Sequence, residues 1–107
     1  MIVTSHPLRD GVLRVEAAGE IDMATVDTLA KALHDAAQVP GVAHIVVDLD
    51  GVTFCDSSGV AALDEGYGAA QRRGITLRVV NLQRPVARVF ELTGLLSLTD
   101  PNVNENI

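Results

Sequence analysis

Alternation of apolar and polar residues predicts two strands near the start of the chain. Residues 12–17, VLRVEA, alternate with a period of two, as expected of a strand with one buried face. The Asp10-Gly11 pair before them is typical of a hairpin turn, and Ile2–Ser5 on its other side is a short segment of strand-forming residues. We therefore predict an antiparallel pair formed by Ile2–Ser5 and Val12–Ala17.

Two further segments are predominantly apolar and predict buried strands. Ile45–Leu49 is β-branched and apolar apart from one aspartate, the pattern of a strand covered on both faces of a sheet, and Ile75–Val80 is similar. Asp50-Gly51 directly follows the first of these segments and predicts a turn. Val52 and Phe54 then form a second apolar patch.

Helical spacing of apolar residues predicts three helices. The first covers about Thr25–Gln38. The second reaches Arg72, and the third has Pro85 in its first turn and is closed by Gly94. Gly19–Asp22 is predicted to be the loop between the second strand and the first helix.

The resulting order, β-β-α-β-α-β-α, predicts an α/β fold. Strand–helix–strand units place neighbouring strands parallel through right-handed crossovers, so we expect a mixed β-sheet of about four strands with helices packed on it. A chain of 107 residues with a hydrophobic content of 48% is large enough for one core. We expect a single domain, residues 1–107, in which residues 100–107 form a frayed tail.

This topology predicts where a functional site would lie. Loops that follow the carboxyl ends of parallel strands gather at one edge of a sheet. We expect the loop with Asp56, Ser57 and Ser58 to lie there beside the loop that carries Asn81, and Glu20–Asp22 to join them.

Charge and composition exclude several classes of function. The net charge of −6 and the absence of a basic run argue against binding to nucleic acid or to acidic membranes. No apolar segment approaches the roughly 18 residues of a spanning helix, so we predict a cytoplasmic protein without membrane insertion. Cys55 is the single cysteine and is predicted to be a small buried hydrophobe, and the histidines are predicted to be solvated: His6, His34 and His44. We predict no metal site and no cofactor.

The most informative chemistry is the polar cluster at the start of the second helix. Unpaired N–H groups and a partial positive charge at a helix N-terminus make a hydroxyl there either a plain cap or a position that tolerates a phosphate. The segment GVTFCDSSG lacks the G-x-S-x-G elbow of serine hydrolases, and the chain contains neither standard Gly-rich phosphate loop. We therefore predict that the protein is not an enzyme.

Three stretches together resemble the STAS domain family, and within it the bacterial anti-sigma-factor antagonists. They are Gly19–Asp22 before a helix, the segment VDLDGVTFCDSSGVAAL at Val47–Leu63, and RVFELTGL at Arg88–Leu95. A DSSG tetrapeptide alone would be weak evidence, but here it follows an apolar strand and is flanked by both other stretches. The resemblance implies a STAS-type mixed sheet.

The resemblance also implies a function by partner switching in transcription regulation. The unphosphorylated antagonist binds an anti-sigma-factor serine kinase and frees the sigma factor, phosphorylation releases the kinase, and a serine phosphatase resets the cycle. The phosphorylated serine directly follows the aspartate of the motif, which corresponds to Ser57 here. The alternative is that the domain is a constitutive docking subunit of a transporter or of a lipid-trafficking complex.

The resemblance places the partner-binding surface at Asp22 and at the motif residues Asp56, Ser57, Ser58 and Gly59. A purely structural role is the alternative to partner binding for these residues. Asp22 and Asp56 could cap helices, Ser58 could support the turn, and Gly59 could permit close approach at the helix start.

Overall fold

The computed structural model, which describes residues 1–95, contains one four-stranded mixed sheet and three helices, as predicted. β1 and β2 are antiparallel, whereas β2–β3 and β3–β4 are parallel, in the spatial order β1-β2-β3-β4. The predicted tail, residues 100–107, lies outside the described residues. The elements are β1 (Ile2–Ser5), β2 (Val12–Ile21), α1 (Val26–Ala37), β3 (His44–Cys55), α2 (Ser57–Arg72), β4 (Thr76–Val80) and α3 (Arg84–Thr93).

The predicted hairpin turn is confirmed. Asp10 and Gly11 both have positive φ, 52° and 79°, which is the backbone of a type I′ turn. The backbone N–H of Arg9 donates to the carbonyl of Val12 at 3.0 Å, and the reverse bond is 2.9 Å long. The turn therefore reverses the chain between β1 and β2, and the pairing shifts by one residue between the bridge Arg9–Val12 and the strand pair Ser5–Val15.

The prediction of a loop at Gly19–Asp22 is wrong for its first three residues, because β2 continues to Ile21. Parallel pairing with β3 extends to the pair Ile21 and Cys55, and these backbone bonds outweigh the low strand propensity of glycine. Gly19 has φ of 109° at an irregularity in the pairing, a conformation that favours glycine. Only Asp22 begins the loop.

The turn predicted at Asp50-Gly51 is also wrong, since β3 passes through both residues. Between the pairs Glu16–Asp48 and Ile21–Cys55, β2 supplies four residues and β3 six, so bulges in β3 accommodate the difference. A Cβ atom on Gly51 would lie 2.8 Å from Cβ of Ala18, which explains glycine at this position. In a regular strand, residues on the same face are two apart. The bulges instead place Val52 and Cys55, which are three apart, both on the core side.

One face of the sheet forms the core with the helices. The register aligns Leu13 with Ile45 and Ile45 with Leu77, and these three side chains are at most 4% exposed. The opposite face carries the Arg14–Asp48 ion pair, in which the guanidinium donates to the buried carboxylate. The helices contribute further buried side chains to the core: Leu29, Leu33, Val60, Leu63, Val86 and Phe90.

Cys55, the last residue of β3, is buried as predicted, with 2% of its surface exposed. Burial first, and the neighbouring Asp56 carboxylate second, raise the pKa of its thiol to about 11. The thiol is therefore protonated at neutral pH.

The start of α2 packs unusually tightly on the ends of two strands. A Cβ atom on Gly59 would lie 2.5 Å from Sγ of Cys55 and 2.6 Å from Cγ2 of Ile21. This close approach bears out the structural role predicted for Gly59. By contrast, a Cβ atom on Gly68 in the same helix would meet only Nη1 of Arg72, at 3.5 Å.

Gly59→Ala and Gly68→Ala are therefore expected to change the free energy of unfolding in opposite directions. Overpacking at residue 59 should destabilise the protein by about 1–3 kcal/mol. The same substitution at residue 68 should stabilise it by about 0.5–1 kcal/mol, because alanine favours a helix over glycine. Urea unfolding of both variants measures the two effects, and equal shifts would contradict the packing described here.

Cys55 should also make stability depend on alkaline pH. Between the ordinary thiol pKa of 9.0 and the folded value of about 11, the unfolded chain loses a proton that the folded protein keeps. The free energy of unfolding should therefore fall as pH rises through this window. Urea unfolding at about pH 8 and about pH 10 should show a steeper loss for the wild type than for Cys55→Ala. Equal losses in the two proteins would refute the assignment.

Candidate functional site

The loops after β2 and β3 meet at one edge of the sheet. Ile21 pairs with Cys55, and the backbone N–H of Asp56 donates to the carbonyl of Ile21 at 3.1 Å. Asp22 directly follows β2 and Asp56 directly follows β3, so these two residues lie side by side. The expectation that Glu20–Asp22 joins the motif is confirmed.

The expectation that Asn81 lies beside the motif is wrong. β4 ends with Val80 opposite Asp48, whereas β3 continues past that point to Cys55. The side-chain N–H of Gln83 donates to the carbonyl of Asp50 at 2.7 Å, so the segment after β4 lies against the bulge of β3. The different lengths of the parallel strands thus separate two loops that a regular sheet would bring together.

Asp56 is the N-cap of α2. Its backbone is extended, and its Oδ1 accepts the backbone N–H of Ser58 at 2.9 Å together with the Ser58 hydroxyl. The bond from the hydroxyl is the main cause that lowers the pKa of Asp56, and backbone N–H groups add to it. The carboxylate is therefore ionised at neutral pH and half-exposed. The structure thus shows the capping role that the sequence left open for Asp56, and the supporting role of Ser58.

Ser57 differs from Ser58 in both exposure and bonding. It is the first residue of α2 and is exposed, whereas Ser58 is half-buried. Within residues 1–95, the side-chain hydrogen bonds at the start of α2 join Ser58 to Asp56 and leave the Ser57 hydroxyl unpaired. Another protein can therefore approach this hydroxyl directly.

Asp22 organises the turn that leads into α1. Its Oδ1 accepts the backbone N–H groups of Ala24 at 2.9 Å and of Thr25 at 3.1 Å. In return, its own N–H donates to Oγ1 of Thr25 at 3.0 Å. These reciprocal bonds have the pattern of a capping box, but they close the turn before α1, whose N-cap is Thr25 and not Asp22. The side chain is half-buried.

Two large apolar side chains are exposed at this edge, and the sequence did not single them out as surface residues. Met23 follows Asp22 and is 82% exposed, and Phe54 precedes Cys55 and is 48% exposed. Phe54 belongs to an apolar patch in the sequence, but the structure divides that patch, because Val52 is fully buried. The bulges of β3 decide which of the two enters the core, and the sequence pattern does not reveal them.

The described residues offer no group of three or more His, Cys, Asp or Glu side chains that could hold a metal ion. The three histidines are exposed, as predicted. Within residues 1–95, none of the helices has the length and apolar character needed to cross a membrane. What the edge provides is a capped helix start with one free hydroxyl, carboxylates and exposed apolar side chains.

Comparisons with known proteins agree with this geometry. The anti-sigma F factor antagonist of Paenibacillus polymyxa is 32% identical over 95 residues, which cover 89% of this chain and 81% of that protein. The solved structure of an anti-sigma factor antagonist from Mycobacterium paratuberculosis is 30% identical and superposes with a TM-score of 0.77, covering 97% of this chain and 90% of the other.

The fold is also that of the antagonist SpoIIAA from Bacillus. Its unphosphorylated form superposes with a TM-score of 0.80 at 19% identity, covering 92% of this chain and 86% of that one. Its phosphorylated form superposes with a TM-score of 0.72 at 18% identity, covering 92% of this chain and 89% of that one. The model of the STAS domain family matches residues 5–106. This chain therefore belongs to the STAS domain family.

Proposed function

We propose that the protein is an anti-sigma-factor antagonist controlled by phosphorylation of Ser57. In its unphosphorylated form it binds an anti-sigma-factor serine kinase and frees the sigma factor. Phosphorylation of Ser57 releases the kinase, and a serine phosphatase restores the binding form. The proposal rests chiefly on one observation: in a chain whose relatives are named as such antagonists, the serine after Asp56 is exposed and unpaired within the described residues.

The fold should tolerate a phosphate at this position. A phosphoserine adds about 1.5 to 2 negative charges at neutral pH. The N-terminus of α2 offsets roughly 0.3–2 kcal/mol of the repulsion from nearby carboxylates. Because Ser57 is exposed, the phosphate remains in water and nothing in the core has to move.

An interface over Ser57 would not tolerate the same charge. Burying a charge without a partner costs several kcal/mol, and each 1.4 kcal/mol corresponds to a tenfold change in affinity. Asp56 is ionised and lies next to the phosphate, so it adds repulsion and offers no compensation. One modification can therefore dissociate a complex while the domain stays folded.

Hydrogen bonding favours Ser57 over Ser58 as the acceptor. A kinase needs a hydroxyl that can enter its active site and give up its proton to a base. The Ser58 hydroxyl donates to Asp56 and is half-buried, so its phosphorylation would first require that side-chain bond to break. In this proposal the protein acts by binding, and the chemical steps belong to its kinase and phosphatase.

Incubation with ATP and each anti-sigma-factor serine kinase of the source genome is expected to add one phosphate to the wild type. Ser57→Ala should abolish the gain, because it removes the acceptor oxygen. Ser58→Ala, the matched control, should still accept phosphate although it loses one bond at the α2 cap. Intact-mass analysis measures all three proteins. Phosphate on Ser57→Ala, or none on the wild type with any of these kinases, would refute the proposal.

Affinity for the kinase is expected to respond to charge at residue 57 more than to size. Ser57→Asp should weaken binding by roughly tenfold or more, because a carboxylate must be desolvated in the interface. Ser57→Asn has nearly the same shape without the charge and should bind much more tightly than Ser57→Asp. Isothermal titration calorimetry with the kinase and ADP compares them. Equal affinity of the Asp variant and the wild type would contradict a phosphorylation switch and favour constitutive docking.

A further inference from the structure

We propose that Met23 and Phe54 are apolar anchors that insert into a cleft on the kinase, and that this cleft is rimmed by lysine and arginine side chains. The inference rests on the proposed function and adds the chemistry of the partner surface. It identifies two side chains with no assigned role and states what must face them.

The exposure of these two side chains is the first observation. Five large hydrophobic residues are exposed in residues 1–95. Of these, Met23 and Phe54 lie beside the DSSG motif. Met23 is 82% exposed in a turn that Asp22 and Thr25 already hold by hydrogen bonds. Its side chain therefore contributes little to the fold. Methionine and aromatic residues are enriched in protein interfaces, and a few such side chains carry most of the binding energy.

Chain geometry places both side chains close to Ser57. Phe54 precedes Ser57 by three residues, so their Cα atoms are at most roughly 11 Å apart. Met23 lies two residues beyond Ile21, whose Cα partner across the sheet is Cys55. The path from Met23 to Ile21, across the sheet by about 5 Å to Cys55, and back one residue to Phe54 limits the distance between the Cα atoms of Met23 and Phe54 to roughly 16 Å. One partner surface of ordinary size can cover both anchors and the phosphorylation site.

The charge around the anchors determines the chemistry of the partner. Phe54 pairs across the sheet with Glu20, which is exposed, and Met23 follows Asp22. Asp56 contributes an ionised carboxylate at the same edge. The two segments that build this edge, residues 15–30 and 46–71, contain no lysine or arginine. An apolar cleft without a basic rim would leave these carboxylates desolvated and unpaired, whereas lysine and arginine would complement them.

The anchors are tested by calorimetric titration of each anti-sigma-factor kinase of the source genome, with ADP, into single alanine variants. Met23→Ala and Phe54→Ala are each expected to weaken binding by roughly tenfold or more. Leu92→Ala and Val12→Ala are the controls, because Leu92 is 74% exposed on α3 and Val12 is 36% exposed at the start of β2, the opposite end of the strand from Ile21. The controls should bind like the wild type. Thermal unfolding of every variant separates loss of binding from loss of fold.

The basic rim is tested by association rates at low and high salt. Glu20→Gln should slow association several-fold at about 50 mM NaCl, and the difference should largely disappear at about 500 mM. Asp10→Asn is the control, since Asp10 lies in the hairpin turn at the other end of β2 and asparagine suits its positive φ. Equal effects of Glu20→Gln and Asp10→Asn would overturn the basic rim.

The outcomes separate this inference from the proposed function. If a kinase phosphorylates Ser57 but binds folded Met23→Ala and Phe54→Ala as tightly as the wild type, the proposed anchor role is wrong. The proposed regulation by phosphorylation is then unaffected. If the anchors and the salt dependence are confirmed but no kinase modifies Ser57, the docking surface stands and the switch fails. If no anti-sigma-factor kinase of the source genome binds the wild type, both fail.

Discussion

The start of α2 rests directly on the ends of β2 and β3 because residue 59 has no side chain. Sγ of Cys55 and Cγ2 of Ile21 occupy the space that a Cβ atom would need. This contact holds the first turn of the helix against the sheet, and Asp56 caps the same turn through its bond from Ser58. With residues 58 and 59 committed to packing and capping, Ser57 is the residue of that turn left facing solvent.

Much of the fold could be predicted because its elements follow simple periods. The apolar spacing of α1 and α3 and the alternation of β2 gave the helices and the first strand pair to within a few residues, and Asp10-Gly11 identified the hairpin. The errors fall where β3 departs from a regular strand. Gly51 is typical of a turn in sequence, but in the fold it lets the backbone of β3 approach Ala18. Such a contact between strands is not encoded in local sequence.

The same irregularity limits what could be predicted about the site. The DSSG motif and its position after an apolar strand predicted that Ser57 lies at a helix start and offered Asp56 as its cap, since capping depends on neighbours in sequence. Exposure of Phe54 depends instead on the bulges that put Val52 and Cys55 on the core side. The place of Asn81 depends on where β4 ends relative to β3, which is a property of the whole sheet. Local chemistry was therefore predictable, whereas the surface around it was not.

The distribution of charge around Ser57 bears on how the proposed phosphorylation would act as a switch. The edge with Glu20, Asp22 and Asp56 is already negative, so a phosphate on Ser57 would make the local potential more negative without removing a folding contact. A partner with basic groups could neutralise part of that charge, which would weaken the switch. Discrimination therefore requires that apolar or neutral groups of the partner, and not its basic rim, lie directly over Ser57. In such an interface Met23 and Phe54 supply affinity at the sides, the carboxylates orient the encounter, and the hydroxyl occupies the one place where a charge cannot be accommodated.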